Sequence, residues 1–120
     1  MDDVQQLTVL NDRFIAACRA GSWSDLNQIL SSRFRYVDGV TGSRWEMDRY
    51  IEDLRDHPSP ELSIDQVVVH LAGDTAGVSA RTSNGTGRHH RYLDVYARES
   101  GEWKCVQACV WPAESDLVLG

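Results

Sequence analysis

No run of apolar residues in this chain approaches the roughly 20 in succession that a membrane helix needs. The start, Met1-Asp2-Asp3, is acidic and no apolar core follows it, so no secretory leader is expected and the expected address is the cytoplasm. Basic residues are scarce. Twelve Lys and Arg stand against 18 Asp and Glu, for a net charge of −6, which argues against general nucleic-acid or anionic-membrane binding, since both need basic surface. There are three cysteines. Cys18 falls on a helical stretch, whereas Cys105 and Cys109 share a strand, one face, and a separation of roughly 13 Å. A disulfide needs its Cα atoms within about 7 Å, and the spacing is not that of a C-x-x-C metal pair. All three are expected to be buried, reduced, small hydrophobes.

Other familiar chemistry is missing as well. The chain has no G-x-S-x-G elbow, no cysteine accompanied by a positioned histidine and no phosphate-cradling glycine loop. Adjacent His89 and His90 point to opposite faces of a strand, and His57 and His70 have no ligand-spaced partner, so no metal is expected. The basic run Gly87-Arg88-His89-His90-Arg91 reads as a solvated strand start beside a hairpin rather than a phosphate site.

What is present suits one core, and a single domain over residues 1–120 is expected. Val4, Leu7, Asn11, Phe14 and Cys18 follow the helical period across residues 2–20, with Leu10 and Ala17 widening the stripe. Asp2 or Asp3 can cap that helix and Gly21 suits its end. A short helix at 22–30 has Ser22 as cap and Trp23, Leu26, Ile29 and Leu30 as its apolar side. A strand at 33–38 is broken by Gly39 and Gly42. A third helix is predicted for 44–56, with Ser43 and Glu46 at capping-box spacing and Met47, Tyr50, Ile51 and Leu54 as its stripe. His57-Pro58-Ser59-Pro60 stops it. Strands follow at 61–71, 75–82, 88–98 and 102–111, the middle pair joined by the turn Ser83-Asn84-Gly85-Thr86-Gly87. Three helices and one strand ahead of a four-stranded antiparallel meander make an α+β fold.

Two aspartates stand out within this frame. Asp38 ends Phe34-Arg35-Tyr36-Val37-Asp38, and Asp94 lies inside Arg91-Tyr92-Leu93-Asp94-Val95-Tyr96. A carboxylate among aromatic neighbours is costly to bury unless it is paired, protonated or put to use. Alternation puts His90, Tyr92, Asp94 and Tyr96 on one face, and gathers Trp103, Cys105, Gln107, Cys109 and Trp111 on one face of the last strand. Such a face reads as a mostly apolar pocket wall with few polar groups, in preference to a solvent face or subunit interface that collects aromatics.

The order helix-helix-strand-helix-meander, with Gly21, Asp38 and the ending Gly101-Glu102-Trp103-Lys104, resembles the nuclear transport factor 2-like superfamily, in its SnoaL-like branch, over about residues 4–112. The resemblance implies a cone-shaped curved antiparallel sheet packed on three N-terminal helices, a cystatin-like α+β barrel, with a pocket in the cone and homodimers formed through the sheet. The superfamily holds ketosteroid isomerases, polyketide cyclases, limonene epoxide hydrolases, scytalone dehydratase and many non-catalytic domains. Against the isomerase pattern, Asp38 matches the general base, although its turn is Gly39-Val40-Thr41-Gly42 in place of Asp-Pro-Val-Gly. Asp94 matches the protonated acid of the oxyanion hole, and Trp111 a pocket aromatic.

Phe14, in Arg13-Phe14-Ile15, stands where the isomerase has its tyrosine donor. Loss of such a donor costs about 2.7–4 kcal/mol of transition-state stabilisation, which argues against steroid isomerisation proper. The epoxide-hydrolase Asp-Arg-Asp network is not met either, since Tyr92 stands two before Asp94 and the last strand carries no acid at a matching place. The resemblance therefore implies Asp38 and Asp94 as catalytic residues, with Phe14, Tyr36, Tyr92, Tyr96, Trp103, Gln107 and Trp111 around a small hydrophobic carbonyl or hydroxyl compound. The activity would be of the isomerase, cyclase or dehydratase type, with no cofactor. A non-catalytic dimeric ligand-binding domain is the alternative, because the fold hosts both.

Overall fold

The computed structural model describes residues 1–85 and 87–113. Helices α1 (Asp3–Ala20) and α2 (Trp23–Ile29) lead into strand β1 (Leu30–Asp38). A short strand β2 (Arg44–Glu46) and helix α3 (Met47–Asp56) follow, and then strands β3 (Ser63–Ala72), β4 (Thr75–Ser83), β5 (His89–Glu99) and β6 (Glu102–Pro112). The six strands form one open curved sheet in the order β2-β1-β6-β5-β4-β3, and the helices pack into its concave side, which gives an α+β fold. The turn expected at residues 83–87 contains Thr86, which lies outside the described residues, as do 114–120. Among the described residues, no helix is long and apolar enough to cross a membrane.

Local chemistry sets the helix ends. The Asp2 carboxylate accepts from the Gln5 N–H while the Gln5 side chain accepts from the Asp2 N–H, closing a capping box. Gly21 ends α1 in the left-handed conformation at φ 65°, where a side chain would be strained. The α1 stripe buries Leu7, Asn11, Phe14, Ile15 and Ala17 against the sheet, but Val4 is exposed, as is Trp23 of α2. Residues 44–46 are strand rather than the first turn of α3, and α3 begins at Met47 with no side-chain cap. The reason is tertiary. Trp45 pairs with Tyr36 across β1 and β2 and its ring packs on the tyrosine at 5.1 Å, which outweighs local helical preference.

The sheet is not wholly antiparallel. β1 runs parallel to β6, with Tyr36 beside Ala108 and Asp38 beside Val110. Bulges give the sheet its curvature. One lies in β3 at Gln66, a non-glycine residue at φ 55°. A second lies in β6, where Val95 faces Gln107 but its neighbour Tyr96 faces Cys105, leaving Val106 as the extra residue. The β6 bulge inverts the alternation. Trp103 and Cys105 point inward before it and Ala108 is the buried residue after it, so Cys105 and Cys109 do not share a face, contrary to strict period-two reading. All three cysteines are free thiols.

Candidate functional site

Asp94 owes its position to the middle of β5, where alternation turns Tyr92, Asp94 and Tyr96 to the concave side and all three are buried. A cavity of about 470 Å³ opens there between helices and sheet. Phe14, Ile15 and Cys18 of α1 and Ala108 and Val110 of β6 form its apolar walls, with Tyr92 and Asp94 of β5 between them. Tyr36 of β1 and Tyr50 of α3 close another side, their rings stacked at 5.1 Å and 24°. Asp53, Ser59, Thr82, Asn84 and His90 supply a polar side. Among the described residues the walls carry no Lys or Arg. A hollow of about 540 Å³ between the start of α1 and the β5–β6 turn is walled by surface groups such as Gln6, Arg13 and Lys104 and holds no fully buried ionisable side chain.

Asp94 is 4 % exposed, and its carboxyl has no hydrogen-bond or ion-pair partner among the described residues. Burial alone pushes its pKa up to about 8, because an unpaired charge in an apolar wall costs far more than a retained proton. At neutral pH the group is a carboxylic acid able to donate its O–H. The same environment raises the Cys18 thiol to about 12, chiefly by burial and then by the field of Asp94, so this cysteine is chemically quiet. Burial likewise raises the Tyr50 and Tyr92 hydroxyls, and Tyr92 donates to Asn11 Oδ1 at 2.7 Å.

The other expected site residues divide. Phe14, Tyr36, Tyr92 and Asp94 line the cavity together; Asp38 does not. Its Oδ1 accepts from the N–H groups of Val40 at 2.8 Å and Thr41 at 3.0 Å, an Asx turn that Asp-Gly-Val-Thr-Gly is built to make. Those two donors hold its pKa below the ordinary carboxylate value, the opposite of what a general base needs.

Tyr96 is 0 % exposed and packs in the central core outside the cavity lining, its hydroxyl without a partner among the described residues. Trp103 belongs to that core too: its ring lies under the Arg98 guanidinium at 4.3 Å and its indole N–H donates to Asp3 at 3.1 Å, tying α1 to the sheet. Gln107 and Trp111 stand on the convex side of β6, displaced by the Val106 bulge, while Ala108 and Val110 take their place on the wall. Sequence reasoning missed the wall positions of Ile15, Cys18, Tyr50, Asp53, Thr82, His90, Ala108 and Val110. His90 carried a signal, since it shares the Asp94 face by simple alternation; Asp53 carried none. Among the described residues no cluster of His, Cys, Asp and Glu is disposed to hold a metal ion.

Comparison with known families places this geometry. The sequence matches the SnoaL-like domain over residues 7–110. The chain belongs to the SnoaL-like family. Among solved structures, a nuclear transport factor 2-like protein of unknown function in nutrient uptake from Rhodospirillum rubrum is similar at 22% identity, with a TM-score of 0.78 over 93% of this chain and 99% of that one. A cystatin-like fold protein from Burkholderia xenovorans is 19% identical, with a TM-score of 0.76 over 93% and 92% of the two chains. A ketosteroid isomerase-like protein from Parabacteroides distasonis is 15% identical, with a TM-score of 0.72 over 90% and 86%. At these identities the likeness is one of fold. No curated protein matches the sequence.

Proposed function

We propose that this SnoaL-like chain is a small-molecule pocket protein that performs acid/base chemistry, of the isomerase, cyclase or dehydratase type, on a small hydrophobic carbonyl or hydroxyl compound. The observation that carries the reading is Asp94, an unpartnered acid buried in the wall of a 470 Å³ cavity. A neutral carboxylic acid there donates a hydrogen bond to a carbonyl oxygen and stabilises the enolate that forms when a neighbouring carbon loses its proton. Nothing in that step calls for a cofactor. Because Asp38 is committed to its turn, the proton acceptor is assigned to the polar side of the cavity, where Asp53 of α3 and His90 of β5 stand.

Solvent deuterium exchange next to the carbonyl of a panel of small aryl ketones, followed by NMR, tests this directly. Asp94→Asn is expected to slow the exchange about 100-fold or more, and the double variant Asp53→Asn/His90→Gln by a similar factor. Equal exchange in wild type and both variants would remove the proposal.

A second reading gains support from Asp38 itself, since a site without the family's usual base suits a binding domain. In that case Asp94 holds a carbonyl ligand without turnover, and ligands bind but exchange no faster than in buffer. Under either reading the partner is a second copy of the chain, met through the convex face of the sheet, where Val68 and Leu93 stay 57% and 40% exposed.

A further inference from the structure

The floor of the cavity has a hydrogen-bond polarity, and a residue behind it sets that polarity. Asn11 lies on the buried stripe of α1 and is 1% exposed. Its Oδ1 takes the proton of the Tyr92 hydroxyl at 2.7 Å. A phenol has one proton to give. With that proton committed to a buried amide, Tyr92 meets the cavity through its oxygen lone pairs alone.

Asp94, two residues along the same strand face and roughly 7 Å away, supplies both an O–H and a carbonyl oxygen to the cavity. Among the described residues no Lys or Arg stands in the walls to neutralise an anion. The Asn11 Nδ2 group, meanwhile, is sealed from solvent without a partner among the described residues. A buried amide donor left unpaired opposes folding, so Asn11 is a poor choice for stability alone, and an apolar residue of its size would fill the stripe without that cost.

We propose that Asn11 is a positioning residue for specificity: by holding the Tyr92 proton it makes the cavity select neutral, largely apolar molecules that carry both a donor for the Tyr92 oxygen and a carbonyl or hydroxyl oxygen for Asp94. Hydroxy ketones and enols meet that demand. Simple ketones and ethers lack the donor, and carboxylates bring a charge that no Lys or Arg of the described walls pairs. The assignment rests on the pocket reading given above and narrows its ligand class.

The test compares 2-hydroxy-1-phenylethanone with its methyl ether, 2-methoxy-1-phenylethanone, by ligand-detected NMR titration, with benzoate as the anionic control. Wild type is expected to bind the hydroxy ketone about three- to tenfold tighter than the ether, and benzoate weakest of the three. Asn11→Leu frees the Tyr92 proton to turn toward the cavity, so the ratio falls to one or below while the ether still binds. Tyr92→Phe keeps the ring and removes the oxygen, and also brings the ratio to one. A wild-type ratio of one overturns the assignment, as does a ratio unchanged in Asn11→Leu, and both leave the pocket reading standing. Failure of both ketones to bind wild type overturns the pocket reading and the assignment with it.

Discussion

At neutral pH the carboxyl of Asp94 keeps a proton that an exposed aspartate would have released, and the whole chain bears the cost of that proton as pH rises. The unfolded chain lets it go near the ordinary carboxylate value of about 4; the folded chain holds it up to about 8. Between those values the folded state binds the extra proton. Stability from this group is therefore complete below pH 4 and is lost as pH climbs toward 8, by at most about 1.4 kcal/mol per pH unit. Urea midpoints of wild type and Asp94→Asn at pH 5, 6.5 and 8 are expected to diverge, with the asparagine variant gaining on wild type at each step. A constant difference would mean that Asp94 is ionised in the fold.

Asp94 was legible in the sequence because alternation within one strand is a local rule that β5 obeys. Asp38 obeys the same alternation up to its last atom pair. There the following Gly-Val-Thr-Gly folds back and offers two N–H groups to the carboxylate, a local satisfaction stronger than the pull of a cavity.

Among the elements, the seam between β1 and β6 governs the cavity wall. Gly39 follows β1 at a place where an added Cβ would meet the Val110 carbonyl oxygen at 2.7 Å and the Trp111 Cβ at 2.8 Å. Backbone cannot yield as a side-chain tip can. Gly39→Ala is expected to lower stability by about 1–3 kcal/mol, read as a fall in the urea midpoint, and to weaken ligand binding because Val110 lines the cavity. A variant with unchanged midpoint would show the seam to be loose.

The order of the helices and of β3 to β6 followed from periodicity and turn residues, since each rests on contacts between near neighbours in sequence. β2 escaped because Trp45 is recruited by Tyr36 rather than by its own neighbours. The β6 wall escaped because one extra residue, Val106, reverses every later side chain. No local property of Lys104-Cys105-Val106-Gln107 announces where that residue will be absorbed.

For the molecule as a whole, the convex face of the sheet leaves apolar side chains together at the surface. Exposed Val68 and Leu93 and half-buried Cys109 and Val37 follow one another across five strands, with Ser79 between the first two, an apolar belt of the kind that suits a contact surface. Light scattering on the purified chain is expected to give the mass of a dimer, and Leu93→Glu, which sets a charge in the belt on the face turned away from buried Asp94, is expected to give a monomer with its fold intact. Monomeric wild type would refute the contact.

The parallel seam has one more consequence, and it concerns time. Leu30 pairs with Cys105 and Asp38 with Val110, so the first long strand has no permanent neighbour on that side until the last strand has been made. On a ribosome, helices and the β1–β2 ribbon emerge early and then wait with an open edge, the condition in which strands find wrong partners. Pairing of β1 on that side is thus deferred until β6 is made, and the wall that holds Ala108 and Val110 beside Asp94 is completed with it.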